Sequence, residues 1–205
     1  MKEDILEQIG ADWLLNKNGV FVKSNLKYKP NKEQSGYEHL KDNIPSDIDL
    51  LSVDLSDINT VKIINCKSWM DGFDFKYFHE CLSSTEKHNR KFGGKEIWKH
   101  FRELICEKWH IAFINRIKEE NPHVTQIEYY ILCVHGRNIE YVKDWIVNPI
   151  IQNNFKKSGI NLKSIYAKTI KDLIAEIETK SSETTENSDF CRTIQLLRAA
   201  SIKLT

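Results

Sequence analysis

The chain has 205 residues, of which 40% are hydrophobic and 29% charged, and its formal net charge is +1. This composition is that of a globular protein and excludes a disordered chain, and no apolar run reaches the ~20 residues that a membrane-spanning helix needs. Because the charges nearly balance, only a local cluster of basic residues could indicate a nucleic-acid partner. The five cysteines form no Cys-x-x-Cys pair, which argues against a zinc knuckle and predicts reduced thiols in a cytoplasmic protein.

The hydrophobic pattern predicts helices and strands that alternate through most of the chain. In order, we expect a helix over residues 1–17, strands over 20–30, 47–54 and 60–69, helices over 74–82 and 96–119, a strand over 125–136, a helix over 141–157, a strand over 162–170, and helices over 171–180 and 190–204. The second and third strands are close enough in sequence to form a hairpin. This order predicts an α/β fold with a mixed sheet flanked by helices on both faces.

Polar side chains interrupt both strands of the predicted hairpin. Because side chains alternate across a strand, Asp47 and Asp49 are predicted to share the apolar face of the first strand. By the same rule, Asn65 and Lys67 share the apolar face of the second strand. The start of one hairpin strand lies beside the end of the other, so we expect these side chains to converge at one edge of the sheet.

Such a cluster has the chemistry of a phosphodiester-hydrolysing site. Hard cations such as Mg²⁺ prefer oxygen ligands, including carboxylates, carbonyls and water. A lysine beside them can orient or deprotonate a water molecule, and it can stabilise charge that develops on a phosphate. The hairpin therefore predicts a divalent-metal site with a neighbouring lysine.

The motifs PSDIDLL and VKIINCKSW, set in a hairpin, resemble those of the PD-(D/E)xK nuclease superfamily and of its Mrr-like branch. The order of elements resembles that branch over residues 2–178, and the motif residues over 45–69. The resemblance implies a restriction-endonuclease-like fold, with the nuclease domain over residues 1–180 and an acidic linker and C-terminal helix over 181–205. It also implies Mg²⁺ or Mn²⁺ as cofactor and double-stranded DNA as substrate, in restriction or another defence system. A homodimer suits the cutting of both strands.

The resemblance also implies a role for particular residues. Asp49 takes the position of the metal-binding aspartate and Lys67 that of the catalytic lysine. Asn65 takes the acidic position of the (D/E)xK element, and the backbone carbonyl of Cys66 would bind the metal. Members of the family often add an acid from the first helix, for which Glu7 is the best candidate.

Asn65 departs from the family pattern, because an amide oxygen can bind a metal but brings no charge. Three explanations remain open at this point. Asp47 supplies the missing carboxylate, or the protein is a degenerate nucleic-acid-binding module or subunit that keeps the fold without the activity. Alternatively, the asparagine is a deliberate replacement of an aspartate, made to silence the site.

The densest group of basic residues flanks a Gly-Gly pair after the third predicted strand and leads into the long helix. It consists of Lys87, Arg90, Lys91, Lys95, Lys99 and Arg102. A run of this kind suits an arm that grips the phosphate backbone of a nucleic acid. A solvated protein surface explains the same pattern equally well.

Overall fold

The computed structural model describes residues 4–84, 86–180 and 189–200. Its helices are α1 (Ile5–Leu15), α2 (His39–Asp42), α3 (Phe75–Leu82), α4 (Arg102–Ile105), α5 (Glu107–Glu120), α6 (Val142–Ile146), α7 (Pro149–Ser158), α8 (Ile170–Lys180) and α9 (Asp189–Ala199). Its strands are β1 (Val20–Tyr28), β2 (Ser46–Asp54), β3 (Asp57–Lys67), β4 (Phe73–Asp74), β5 (Lys91–Phe92), β6 (Lys95–Glu96), β7 (Gln126–Cys133), β8 (Gly136–Arg137) and β9 (Asn161–Thr169). Within these ranges, no helix is both long enough and apolar enough to cross a membrane.

The main sheet has five strands in the order β1-β2-β3-β7-β9. Strands β1, β2 and β3 pair antiparallel, whereas β3, β7 and β9 pair parallel. The predicted hairpin is β2 and β3, and the later strands enter the sheet through helical connections, which parallel pairing requires. The α/β class and the mixed sheet predicted from the sequence are therefore confirmed.

Both faces of the central strands are buried, because successive side chains of β3 and β7 enter different hydrophobic clusters. Ile63 and Tyr129 belong to the larger cluster, which includes residues of α3 to α7. Ile64 and Tyr130 belong to the second cluster, which includes residues of α1 and α8. Helices thus cover the sheet on both faces.

Helix α1 lies unusually close to the sheet at Gly10. An added Cβ at this position would come within 2.9 Å of the side chains of Leu50 and Leu132. The helix begins at the N-cap Asp4, whose carboxylate accepts a hydrogen bond from the Leu6 N–H. The close contact at Gly10 holds the first turn of α1 near the β2–β3 hairpin.

The single long helix predicted over residues 96–119 is wrong. The segment contains a 3-10 turn over Ile97–His100, then α4, then α5. Phe101 and Cys106 have non-helical backbone angles that separate the three pieces. Phe101 and Leu104 are completely buried in the larger cluster, so tertiary packing overrides the helical spacing of the apolar residues. The break places α4 on the sheet as a separate short element.

The end of the described chain packs on the second face. Helix α9 contacts α8 through a small cluster formed by Ile177, Cys191 and Ile194. Three parts of the sequence predictions lie outside the described residues: the first three residues of the N-terminal helix, the acidic linker over 181–188, and residues 201–204 of the last helix.

Candidate active site

The β2 strand changes face at Asp49. Ile48 lies in the larger cluster and Leu50 in the second cluster, although residues two apart normally share a face. The neighbouring strand β1 is also irregular here, because Asn25 adopts a left-handed backbone with φ of 55° between the pairs at Ser24 and Leu26. The regular alternation assumed for this part of β2 is therefore wrong.

Asp49 points at the end of β3. One of its carboxylate oxygens, Oδ2, accepts a hydrogen bond from the Cys66 backbone N–H at 2.6 Å. Burial raises the pKa of Asp49 to about 7, although the Lys67 charge and the Cys66 N–H both lower it. The negative charges of Glu7 and Asp47 add to the increase in pKa. The carboxyl group is thus partly desolvated beside the lysine with which the sequence predicts it to act.

Lys67 ends β3 next to aromatic rings. Its ammonium nitrogen lies 4.9 Å from the ring centroid of Phe101 and 5.9 Å from that of Trp69. Burial lowers the pKa of Lys67, whereas the charges of Asp49 and Glu103 raise it. A lysine in this setting gives up its proton more readily than an exposed lysine.

Asn65 contacts a carboxylate that the sequence analysis did not single out. Its side-chain nitrogen donates to Oε1 of Glu103 at 3.1 Å. Glu103 is only 4% exposed and also accepts hydrogen bonds from the hydroxyl groups of Tyr129 at 2.5 Å and Tyr28 at 3.4 Å. Oδ1 of Asn65 is buried and has no hydrogen-bond partner in the part of the chain that the structure describes. No sequence signal identified Glu103, because it lay inside the predicted long helix.

Glu7 and Asp47 lie near Asp49 and have partners of their own. Glu7 accepts a hydrogen bond from the Asn25 side chain at 3.2 Å, and burial raises its pKa, with Asp4 and Asp47 adding to the rise. Oδ2 of Asp47 forms an ion pair with the Lys27 ammonium at 2.5 Å. Asp47 is thus already neutralised by a neighbouring cation, which makes it a poor replacement for the missing acid.

Cys66 contributes its backbone to the site, but the hydrogen bond seen involves its N–H rather than its carbonyl. Its side chain packs against the second cluster on the opposite face. Burial raises the pKa of its thiol well above the ordinary value, and the negative charge of Asp49 raises it further. The thiol is therefore a packing group and not a nucleophile.

The Gly-Gly break predicted in the basic stretch is the turn of a two-stranded hairpin made of β5 and β6. Gly93 and Gly94 have φ of 54° and 80°, the left-handed pair that such a turn needs. Lys91 and Lys95 are exposed on its two strands. The Phe92 ring lies 4.5 Å from the Trp69 ring, which anchors the hairpin beside the end of β3.

The other basic residues of the stretch have different surroundings. Lys87 and Arg90 lie in the turn that precedes β5, and Lys87 is 3.8 Å from Glu80. Lys99 forms an ion pair with Glu96 at 2.6 Å. Arg102 is turned inward, with its guanidinium carbon 3.7 Å from the centroid of the Trp109 ring and its Nε buried without a partner in the described chain. Arg102 therefore does not belong to an exposed basic arm, and the binding role of the other five residues stays a prediction.

The donors at this edge of the sheet fit a hard cation in their chemistry. Carboxylate oxygens of Asp49 and the unpartnered Oδ1 of Asn65 are both ligands that Mg²⁺ accepts, and Mg²⁺ usually keeps several water ligands. Across residues 4–84, 86–180 and 189–200, no three or more His, Cys, Asp or Glu side chains group as a metal site. Any cation held here would therefore use few side chains and complete its shell with water or substrate.

A comparison with protein-family models found no match, and comparisons with curated proteins and with solved structures found no significant similarity. The resemblance of the hairpin motifs to the PD-(D/E)xK superfamily therefore stays a prediction. The functional argument rests on the geometry of the site alone.

Proposed function

We propose that the chain is a metal-dependent endonuclease with the restriction-endonuclease-like fold, acting on double-stranded DNA in restriction or another defence system. The observation that carries the proposal is the meeting of Asp49 with the end of β3. The Asp49 carboxylate accepts a hydrogen bond from the N–H of Cys66, the residue before Lys67. The charges of Asp49 and Lys67 also act on each other. A partly buried carboxylate and a partly buried lysine at one sheet edge support hydrolysis of a phosphodiester.

The residues of the chain divide the chemistry between them. Asp49 and the Asn65 amide oxygen would hold Mg²⁺ or Mn²⁺. The metal, when bound, supplies positive charge against the phosphate and lowers the pKa of a water molecule. Lys67 orients the attacking water and takes up its proton, for which its lowered pKa is suited. Glu7, whose pKa is raised by burial and whose charge acts on Asp49, would help to orient a water molecule at the metal.

The β5–β6 hairpin is the part of the basic stretch best suited to bind DNA. Lys91 and Lys95 are exposed on it, and the charge of Lys95 acts on Lys67, so the hairpin flanks the candidate site. Lysine contacts of this kind fix the position of the DNA backbone without reading its sequence. A homodimer related by two-fold symmetry would bring two such sites to the two strands of a duplex.

The test is cleavage of supercoiled plasmid in Mg²⁺ or Mn²⁺. We expect nicking or linearisation by the protein, none in EDTA, and a rate reduced by about 100-fold or more in Lys67→Ala because the proton-transfer group is lost. Lys163→Ala is the control, since Lys163 is a surface lysine on the edge strand β9 and forms an ion pair with Glu128 of β7. Equal rates for Lys67→Ala and the unaltered protein would contradict the mechanism.

The second candidate function is a nucleic-acid-binding module without catalysis. Asn65 favours it, because an uncharged residue at the acidic position weakens divalent-metal binding. Binding of DNA without cleavage by the unaltered protein and by Asn65→Asp would support this second function. A protein that neither binds nor cuts single-stranded or double-stranded nucleic acid would overturn both.

A further inference from the structure

We propose that Glu103 supplies the carboxylate that position 65 lacks, so that the second acid of the metal site comes from α4 instead of β3. The proposal rests on the nuclease function proposed above and assigns a residue to it. It replaces the three earlier explanations of Asn65 with a fourth, in which the negative charge of the site is kept but comes from another element.

The first argument is position. The Asn65 side chain reaches Oε1 of Glu103 at 3.1 Å, so the carboxylate lies one hydrogen bond from the acidic position of the motif. The Tyr129 hydroxyl donates to the same oxygen from β7, and Ile63 of β3 is paired with Tyr129 in the sheet. Glu103 therefore lies over the face of β3 that carries Asn65.

The second argument is charge. Glu103 is 4% exposed, and a buried carboxylate is costly unless a cation or a full set of donors compensates it. Its donors are two tyrosine hydroxyls and one amide, all neutral, and it forms no ion pair within the described ranges. Its charge acts on Lys67 and Arg102, although neither forms an ion pair with it in the described chain. A divalent cation would compensate this charge.

The third argument is the orientation of the Asn65 amide. The side-chain nitrogen faces Glu103 because only the NH₂ group can donate to a carboxylate. Oδ1 is consequently turned away from Glu103, and it is buried without a partner among the described residues. A buried acceptor left unpaired costs free energy, and a bound cation would supply the partner that this oxygen lacks.

The charges of the Asp49 and Glu103 carboxylates both act on Lys67. This restores the two acids and one lysine that the hydrolytic chemistry needs. An aspartate at position 65 would then stand against Glu103 at hydrogen-bonding distance, and two carboxylates so close repel each other. Asn65→Asp alone is expected to harm the site, whereas Asn65→Asp combined with Glu103→Gln returns the charge to its starting value.

The experiment is a calorimetric titration of the full chain with Mn²⁺ in the absence of DNA, which measures the affinity for the metal. We expect Glu103→Gln to bind Mn²⁺ at least 10-fold more weakly than the unaltered protein, and the double variant to regain most of the affinity. Glu128→Gln is the matched control, because Glu128 is also buried, at 8% exposure, and also accepts from a tyrosine hydroxyl. It lies on β7 beside Lys163, and its replacement is expected to leave Mn²⁺ binding unchanged.

A second measurement does not depend on how the variants fold. Fe²⁺ bound in place of Mn²⁺, with ascorbate and peroxide as reagents, generates hydroxyl radicals that cut the backbone next to the metal. We expect cuts in α4 near Glu103 as well as near Asp49 and Asn65. Cuts near the β2–β3 hairpin alone would overturn the assignment of Glu103.

The outcomes separate this proposal from the nuclease proposal. If Glu103→Gln folds and binds Mn²⁺ as the unaltered protein does, Glu103 is a structural hydrogen-bond acceptor and the inference fails, while the nuclease function stands. If the unaltered protein binds no Mn²⁺ and does not cut DNA, the nuclease function fails and the inference fails with it.

Discussion

Asp49 is held in a state in which burial disfavours its charged form. Its carboxyl group is desolvated, and its pKa is raised to about 7 against a value near 4 in an unfolded chain. The folded protein therefore binds a proton more tightly than the unfolded chain between these two pH values. The stability contributed by the protonated form is complete below about pH 4 and is lost as the pH rises through 7.

From this follows a prediction for Asp49→Asn, which removes the ionisable group but keeps an oxygen to accept the Cys66 N–H. In EDTA at pH 8, we expect the variant to be more stable than the unaltered protein, by on the order of 1–3 kcal/mol. The difference should shrink towards zero near pH 4. Urea unfolding at both pH values measures it.

Asp47→Asn is the control for this measurement, because the Asp47 carboxylate is paired with Lys27 and its loss removes a favourable contact. We expect no gain in stability from it at pH 8. A stability difference for Asp49→Asn that is the same at pH 4 and pH 8 would contradict the assigned protonation behaviour.

At the scale of single residues, the sequence predicted correctly that Asp49 and Lys67 lie on neighbouring strands of one hairpin, because a hairpin with a short turn is a local structure. It did not predict the change of face at Asp49. That change coincides with the left-handed Asn25 on the neighbouring strand, and pairing between β1 and β2 is a long-range contact. Glu103 was missed for the same reason, since only tertiary contacts reveal it.

At the scale of elements, the β5–β6 hairpin is the clearest structure that local sequence specifies. Its turn uses two consecutive left-handed glycines, and nothing in the structure lies within 4 Å of an added Cβ at either of them. Only the backbone conformation, and not space, therefore demands glycine there. An L-residue in this conformation costs roughly 1 kcal/mol, which is comparable to the stability of a two-stranded hairpin.

We accordingly predict that Gly94→Ala weakens DNA binding about 3- to 10-fold, because the strained turn no longer fixes Lys91 and Lys95. Fluorescence anisotropy with a labelled duplex measures the change. Gly36→Ala is the matched control, since Gly36 has φ of 76° and equally open surroundings but lies outside the basic stretch. If both variants lose the same affinity, the hairpin has no special role in binding.

The broken helix between Glu96 and Glu120 shows where element prediction fails. The apolar residues Trp98, Phe101, Ile105 and Trp109 recur at helical spacing, and this pattern alone predicts one continuous helix. The chain instead leaves the helix at Phe101 and Cys106 so that Phe101 can be completely buried. The periodicity of apolar residues indicates which residues are buried, but it does not show whether they belong to one continuous helix or to several short ones.

At the scale of the whole molecule, the class of fold and the succession of the main strands along the chain followed from the sequence, because β2, β3 and β7 are strongly apolar segments. The two-sided packing depends on the close contact of α1 with the sheet. Gly10 allows that contact, with Leu50 and Leu132 2.9 Å from the position of a Cβ. A larger residue there must displace α1 or the sheet.

Gly10→Val is therefore expected to destabilise the whole domain by about 1–3 kcal/mol through overpacking, measured as a lower thermal unfolding midpoint. The shift of α1 also moves Glu7 relative to Asp49, so any cleavage activity should fall along with stability. Gln8→Val, at an exposed position of the same helix, provides the comparison for the effect of a β-branched residue on the helical backbone. An unchanged midpoint for Gly10→Val would mean that α1 is not in fixed contact with the sheet.

The contact between Phe92 and Trp69 links two parts of the molecule that otherwise belong to different functions. Trp69 lies two positions after Lys67, and its ring stacks on Phe78 of α3 and contacts Phe92 of the β5–β6 hairpin in a tilted arrangement. The hairpin and the lysine are thereby mechanically coupled, since a hairpin that moves on its ligand must also move the indole beside the end of β3. The contribution of Trp69 to the fluorescence of the five tryptophans, taken as the difference between the unaltered protein and Trp69→Phe, would report that movement without any added label.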